Sequence, residues 1–147
     1  MGQAVVHRPG EGELLAVAGN EIVFKVGTVE TDGALGVLEY TAAAGFPGPP
    51  PHVHHRTVEG FYVLDGELTM LVGEETVTLP AGSFALVPPD TPHTFSNPSS
   101  EPVRFLGMFT PSGFEQYFKD LAALLSGGPL DPVAIAEAGA KYDVENV

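Results

Sequence analysis

Glycine and proline divide the chain into many short segments, and this division constrains its fold more than any other feature. The 147 residues include 18 glycines and 14 prolines. Between them lie short runs rich in β-branched, aliphatic and aromatic residues, such as NEIVFKVGTV, VEGFYVLDG and VRFLGMFT. A β-strand turns successive side chains to opposite faces, so alternating polarity over such lengths indicates strands. Short strands between turn signals predict an all-β sandwich or barrel rather than alternating strands and helices.

Turn signals mark where several of the predicted strands end. Asp65-Gly66 lies between two alternating apolar runs and predicts a β-hairpin, because Asp-Gly suits a two-residue hairpin loop. The stretch 72–75, Val-Gly-Glu-Glu, predicts a second tight connection, and 80–82, Pro-Ala-Gly, predicts a third.

The pattern changes from strand to helix after Thr110. Residues 113–126, GFEQYFKDLAALLS, place apolar side chains at helical spacing, and two glycines end the run. Asp131-Pro132 resembles an N-cap followed by proline at the first helical position, and predicts a short helix through about Ala140. We expect both helices to pack on the outside of the barrel and to bury their apolar faces there.

Length and composition bound the class of protein. A chain of 147 residues is typical of one domain, here residues 1–147, with the barrel at about 13–110 and the helical segment at about 113–147. The 6 basic and 19 acidic residues give a net charge of −13, which would repel nucleic acid and anionic membrane surfaces. No apolar run approaches the ~20 residues of a membrane span, and the N-terminus lacks the apolar core of a signal peptide. We therefore expect a cytoplasmic protein.

The chain contains no cysteine, so any transition metal must be held by histidine and carboxylate. Three of the five histidines fall in PPHVHHRTVEG, residues 50–60. Strand alternation should project His52 and His54 to one face, where both imidazoles can reach one ion, and His55 to the other face. His-x-His alone is weak evidence for a metal site, and His7 and Arg56 are expected to be surface residues.

Glu59 strengthens the prediction of a metal site. It begins an apolar strand pattern, and a carboxylate on an inward face is unfavourable unless it is paired or ligates a metal. Reaching the same interior as His54 requires a bend or bulge in between. His93, in the strand pattern after Pro-Pro-Asp, is the remaining candidate. Three histidines and one carboxylate suit divalent Fe, Mn, Ni, Co, Zn or Cu.

These residues resemble the two signature motifs of the cupin superfamily. The first motif is a glycine, His-x-His, three or four residues, Glu, six residues and Gly; the second is Gly, five residues, Pro-x-Gly, two residues, His, three residues and Asn. The matching positions are His52, His54, Glu59 and Gly66 in the first motif, and Gly82, Pro88, His93 and Asn97 in the second. Asp90 replaces the second glycine of the latter motif, and neither Gly45 nor Gly48 has the spacing of the leading glycine of the former.

The resemblance implies a cupin-type double-stranded β-helix, or jelly-roll barrel, that binds one divalent metal through His52, His54, Glu59 and His93. Within the superfamily the chain looks most like small cupins of the quercetin dioxygenase-like group. That likeness implies a ring-cleaving dioxygenase of a flavonol-like or related aromatic enol substrate, with Fe, Mn, Ni or Co, and Glu59 as both ligand and base. It also implies dioxygen as co-substrate and a homodimer. Aromatic and apolar residues that could line the substrate cavity are Tyr40, Phe46, Phe61, Met70 and Phe95.

Two other functions remain open at the level of sequence. Small cupins also act without dioxygen as metal-assisted cyclases, isomerases or decarboxylases of polyketide-like or carbonyl substrates, where zinc would serve as a Lewis acid and Glu59 as a base. The chain could also be a non-enzymatic binder of a small ligand, although no DNA-binding or signalling segment accompanies the barrel. The metal carried and the consumption of dioxygen would distinguish these functions.

Overall fold

The computed structural model describes residues 2–129 and 131–147. Within them the chain forms strands and helices in the order β1 (Glu13–Val17), β2 (Asn20–Val26), α1 (Thr28–Thr31), β3 (Gly36–Ala42), β4 (His52–Val53), β5 (Val58–Asp65), β6 (Glu67–Val72), β7 (Glu75–Pro80), β8 (Phe84–Val87), β9 (His93–Ser96), β10 (Val103–Thr110), α2 (Phe114–Ser126), α3 (Pro132–Lys141) and β11 (Glu145–Asn146). None of these helices is both long enough and apolar enough to cross a membrane.

The strands form two antiparallel sheets. One has six strands in the order β1-β2-β3-β10-β5-β8, and the other has five in the order β11-β4-β9-β6-β7. From β3 to β10 the chain passes from one sheet to the other at every connection except the one between β6 and β7. This winding is a double-stranded β-helix, and the predicted all-β jelly-roll barrel is confirmed.

The hairpin predicted at Asp65-Gly66 is wrong, because β5 and β6 lie in different sheets. β5 pairs with β10 and β8, whereas β6 pairs with β7 and β9. Gly66 has φ +82°, and a Cβ there would lie 2.8 Å from the carbonyl oxygen of Pro102. The turn carries the chain around a corner of the barrel, close to the start of β10. Hairpins and corners share the left-handed backbone that the Asp-Gly pair favours, so the pair alone does not distinguish them.

The other two predicted turns are present. Val72 pairs with Glu75 across a two-residue turn, so β6 and β7 form a hairpin. The turn at 80–82 connects β7 to β8 in the opposite sheet. Its Gly82 N–H donates to the carbonyl oxygen of Val63 at 2.8 Å, which anchors the crossing to β5.

An aromatic core lies between the sheets. Tyr40 on β3 stacks on Phe105 of β10 with ring centroids 5.2 Å apart, and Phe95 on β9 meets the same ring edge-on at 5.2 Å. Phe61 on β5 completes the group, with its ring centroid 5.6 Å from that of Phe105. Inward positions alternate with outward ones along β3 and β10, as expected for strands with one buried face.

Both predicted helices are present. Gly113 and Gly127 flank α2, and the Asp131 carboxylate caps α3 by accepting from the backbone N–H groups of Val133 and Ala134 at 3.0 and 3.3 Å. The apolar face of α2 packs on the barrel, and its Phe114 is buried in the core. The helices pack on the outside of the barrel as predicted, and α2 covers the end of the interior that adjoins Glu59.

Candidate metal centre

His52 and His54 both face the interior. His52 opens the two-residue strand β4 and His54 directly follows that strand; both side chains are buried, and their ring centroids lie 5.1 Å apart. His55 points outward with 53% of its side chain exposed, between the carboxylates of Asp90 and Glu145 at 2.7 and 2.6 Å. Strand alternation therefore places two imidazoles toward one point and the third toward solvent.

Glu59 and His93 face the two histidines from two further strands. The chain bends at residues 55–56, and Glu59 then enters β5 with its side chain buried. His93 opens β9, where it is the direct partner of His52, with ring centroids 4.4 Å apart. The Nε2 atoms of His54 and His93 each lie 3.0 Å from Glu59 Oε2.

Asp90 takes the backbone conformation that a glycine would favour. Its φ is +63°, a left-handed conformation that Asp adopts more readily than most residues. The Asp90 N–H donates to the carbonyl oxygen of His54 at 2.7 Å, so this turn also supports the strand end that carries His54. Asp90 therefore keeps the turn that the glycine of the second motif would form.

Asn97, which closes the second motif, has a structural role away from the ligand atoms. Its Nδ2 donates to the carbonyl oxygens of Ala42, Ala43 and Glu101 at 3.2, 3.1 and 2.7 Å. This side chain is completely buried and ties the end of β9 to the end of β3.

The four side chains form a donor set that fits a divalent metal. His52, His54, Glu59 and His93 are all buried, and each offers one ligand atom within 4.8 Å of the others. Three imidazole nitrogens and one carboxylate oxygen are the ligands that Zn, Fe, Mn, Co and Ni accept. A metal there would be held by residues from both sheets, since β5 belongs to the six-stranded sheet and β4 and β9 to the five-stranded one.

Burial and hydrogen bonding set the charges of these groups. Burial alone would raise the pKa of the Glu59 carboxyl, but hydrogen bonds from His54 and His93 outweigh it and lower this pKa to about 2. Burial lowers the pKa of His52 to about 4, so that imidazole is neutral at pH 7. For His54 burial acts in the same direction, but the hydrogen bond to Glu59 prevails and raises its pKa. A bound metal would replace protons at this centre, so binding should release them.

Backbone carbonyls orient all three imidazoles. The Nδ1 atoms of His52 and His93 donate to the carbonyl oxygens of Pro50 and Thr91, each at 2.9 Å. The Nδ1 of His54 donates at 2.7 Å to the carbonyl oxygen of Asp143, which lies 89 residues further along the chain. These bonds direct each Nε2 toward the centre. Asp143 could not be predicted from the sequence, because no spacing links a C-terminal aspartate to a histidine so far away.

A small aromatic cavity adjoins Glu59. Its volume is about 10 Å³, close to the space of one water molecule. Of the residues predicted to line the substrate cavity, Tyr40, Phe61 and Phe95 line this space. Phe46 packs beside them, with ring centroids 6.5 Å from Tyr40 and 6.0 Å from Phe95. Met70 is buried on β6, opposite Phe95 in the strand ladder.

Helix α2 closes this cavity with two aromatic rings, whose helical spacing in the sequence predicted only burial against the barrel. Phe114 meets His54 edge-on with ring centroids 4.9 Å apart, and Phe118 lies 6.1 Å from the Tyr40 ring. Burial raises the pKa of Tyr40 to about 12 despite a hydrogen bond from Asn20, so its hydroxyl stays neutral. Glu59 is therefore the ionised group that faces this apolar space.

The fold and the centre define a double-stranded β-helix protein with three histidines and one glutamate at its interior. Residues 38–109 match the cupin domain family. A stretch of 86 residues is 31% identical to quercetin 2,3-dioxygenase from Bacillus subtilis (strain 168), covering 57% of this chain and 25% of that protein. Residues 38–109 thus form a domain of the cupin family, and the chain spans about a quarter of the length of this curated relative.

Solved structures share the fold at low sequence identity. KdgF from Halomonas sp. superposes with a TM-score of 0.64 and 19% identity, covering 74% of this chain and 96% of that one. A predicted oxalate decarboxylase from Thermotoga maritima superposes with a TM-score of 0.61 and 17% identity, covering 74% and 99%. These likenesses concern the fold alone, because cupin barrels carry many different functions.

Proposed function

We propose that this protein is a metal-dependent dioxygenase that cleaves the ring of a flavonol-like or related aromatic enol substrate. The observation that carries the proposal is the position of Glu59, an ionised carboxylate that shares a buried centre with three imidazoles and faces an aromatic cavity. The similarity to a quercetin 2,3-dioxygenase over 57% of the chain supports the same class of substrate.

Three kinds of residue at this centre would have separate roles in the reaction. His52, His54 and His93 would hold the metal through Nε2, since each Nδ1 donates to a carbonyl oxygen. When bound, the metal would supply Lewis acidity toward an enol oxygen and a position for dioxygen. Glu59 would ligate the metal and accept the enol proton, because its carboxylate is ionised at neutral pH. The rings of Tyr40, Phe61 and Phe95 would orient the apolar part of the substrate.

The cavity limits how a substrate can enter. Pockets for drug-sized ligands occupy roughly 300–1,000 Å³, whereas the space beside Glu59 is about 10 Å³. Phe114 and Phe118 of α2 line this space, so outward movement of these two rings would make room for a flavonol beside Glu59. Substrate binding and displacement of this helix would be coupled in the proposed enzyme.

The small cavity favours a second candidate, a dioxygen-independent, metal-assisted isomerase, cyclase or decarboxylase of a carbonyl substrate. A compact carbonyl compound needs a smaller displacement of α2 than a flavonol does. Glu59 would then act as a base at a carbon next to the carbonyl group, and zinc would be a suitable metal.

The test begins with metal content and proceeds to turnover. The purified protein should carry about one divalent ion per chain, and His52→Ala or His93→Ala should remove it because the remaining ligands bind too weakly. His7→Ala is the matched control, since His7 is exposed near the N-terminus and bonds to the carbonyl oxygen of Lys25. Full metal occupancy in both ligand variants would contradict the site assignment.

Turnover distinguishes the two candidates. Protein loaded with Fe, Mn, Ni or Co should bleach the flavonol absorbance with uptake of one dioxygen per flavonol, and Glu59→Gln should lower kcat by 10²-fold or more. Equal turnover under strict anaerobiosis would favour the dioxygen-independent reaction. A fully metal-loaded protein that leaves every flavonol intact in air would overturn the dioxygenase proposal.

A further inference from the structure

We propose that Asp143 is a positioning residue for the metal centre, so that the C-terminal segment of the chain controls how tightly the metal is held. The inference rests on the metal site of the proposed function, but it does not depend on the reaction that this site performs. It assigns a role to a residue that neither cupin motif contains.

Two different parts of Asp143 act on the centre. Its carbonyl oxygen accepts from His54 Nδ1 at 2.7 Å and so fixes the plane and tautomer of that ring. Its carboxylate accepts from the backbone N–H groups of His55, Arg56 and Thr57 at 2.8, 2.9 and 3.0 Å, and from Thr57 Oγ1 at 2.9 Å. These partners are the residues of the bend between the ligands His54 and Glu59, so one side chain holds that bend in shape.

The local backbone shows why the carboxylate is needed. Asp143 has φ +66°, a left-handed conformation that is unfavourable for most residues with a side chain. The flanking contacts keep the segment in place: the Val144 N–H donates to the carbonyl oxygen of Gly139 at 2.8 Å, and Asn146 pairs with His52. The hydrogen bonds of the Asp143 carboxylate stabilise this conformation, in which the carbonyl oxygen points at His54.

His54 differs from the other two histidines in where the acceptor of its Nδ1 hydrogen bond lies along the chain. His52 and His93 donate to carbonyl oxygens two residues before them, and those bonds form within the same stretch of chain. The orientation of His54 depends instead on docking of the C-terminal segment. Loss of the Asp143 carboxylate should therefore disturb the orientation of the His54 ring and leave the orientations of the His52 and His93 rings unchanged. Loss of such an outer partner commonly lowers metal affinity about 10–100-fold.

The experiment measures proton NMR spectra of the 147-residue chain loaded with Co²⁺. Imidazole N–H protons on a Co²⁺ ligand are strongly shifted and exchange with solvent, so wild type should show three such signals, one each from His52, His54 and His93. In Asp143→Ala one signal should disappear through fast exchange while two persist, and chelator competition should show a Co²⁺ Kd raised about 10–100-fold. Asp131→Ala is the matched control, because that aspartate caps α3 without contacting a ligand.

The conservative variant keeps the test decisive if Asp143→Ala does not fold. Asp143→Asn retains one acceptor oxygen, so its Kd should lie between those of wild type and Asp143→Ala, with the same single signal weakened. Three unchanged signals and an unchanged Kd in a folded Asp143 variant would overturn the inference. Loss of all three signals, or an equal effect in Asp131→Ala, would assign Asp143 a purely structural role and overturn it as well. Absence of shifted signals in wild type would refute the metal site itself, and therefore the proposed function.

Discussion

Glu115, the second residue of α2, joins the start of α1 to the start of α2 through a single buried carboxylate. Its Oε1 accepts from the N–H and the hydroxyl of Thr28, each at 2.7 Å, and its Oε2 accepts from the N–H of Gly113 at 2.6 Å. Burial alone would raise the pKa of this carboxyl, but these hydrogen bonds outweigh it and lower the pKa. The contacts are therefore strongest while Glu115 is ionised.

Glu115→Gln should lower the free energy of unfolding by about 1.5–3 kcal/mol at pH 7, the range for a lost hydrogen bond to a charged group. The folded pKa lies below the ordinary value of 4.5, so the stabilisation is present above pH 4.5 and is lost as the pH falls through the folded value. Urea unfolding of both proteins at pH 7 and pH 3 measures this difference. Glu67→Gln, at the exposed start of β6, is the control. A difference of equal size at both pH values would contradict the prediction.

Single residues were predictable from sequence where a local periodicity determines them. His52 and His54 face one way because strands alternate, and Glu59 and His93 stand out as polar residues in apolar strand patterns. Asp143 was not predictable in this way. Its contact with His54 spans 89 residues and uses a backbone carbonyl, which every residue type possesses. Only the three-dimensional arrangement of the chain identifies such a partner.

For helices and strands too, local sequence patterns predicted the element itself, whereas its partners in the fold were harder to predict. The amphipathic pattern and the flanking glycines predicted α2, and the Asp-Pro pair predicted the start of α3. The pairing of strands was harder to predict, because the turn at Asp65-Gly66 joins strands of different sheets. It was also hard to predict which part of the barrel α2 covers. Phe114 and Phe118 fit any apolar surface, and their position over the metal centre depends on where β10 ends.

Phe118 offers a test of α2 as the cover of the metal centre. Phe118→Ala would widen the space between α2 and Tyr40, and a bulky chelator should then remove bound metal at least several-fold faster than from wild type. The free energy of unfolding should fall by less than the 3–5 kcal/mol typical of a fully buried Phe→Ala change, because Phe118 is half-buried. Stopped-flow measurement of chelation gives the rate.

Leu124→Ala is the matched control for this cover. Leu124 lies on the same helix, but it faces Ala134 and Ala138 of α3 rather than the cavity. Its truncation should weaken packing between the helices and leave the rate of metal removal near that of wild type. Equal acceleration in both variants would show that general loosening of α2, rather than the ring of Phe118, controls access to the metal.

At the scale of the whole molecule, the candidate metal centre connects the two sheets and the C-terminal segment. Glu59 belongs to the six-stranded sheet, and His52 and His93 belong to the five-stranded sheet. His54 links the centre to the C-terminal segment through Asp143. An unfolded chain cannot hold these four ligands together, so a metal would bind the folded state far more tightly than the unfolded one.

Removal of the metal should therefore lower Tm of the entire barrel. A free metal concentration 100 times Kd stabilises the folded state by about 2.7 kcal/mol. A domain of this size shifts by about 2–4 °C per kcal/mol, so chelation should lower Tm by roughly 5–10 °C. Differential scanning calorimetry with and without a chelator measures the shift, and readdition of metal should restore it. In His93→Ala, which lacks one ligand, Tm should not respond to chelator. An unchanged Tm in chelated, metal-free wild type would contradict stabilisation of the folded barrel by the metal.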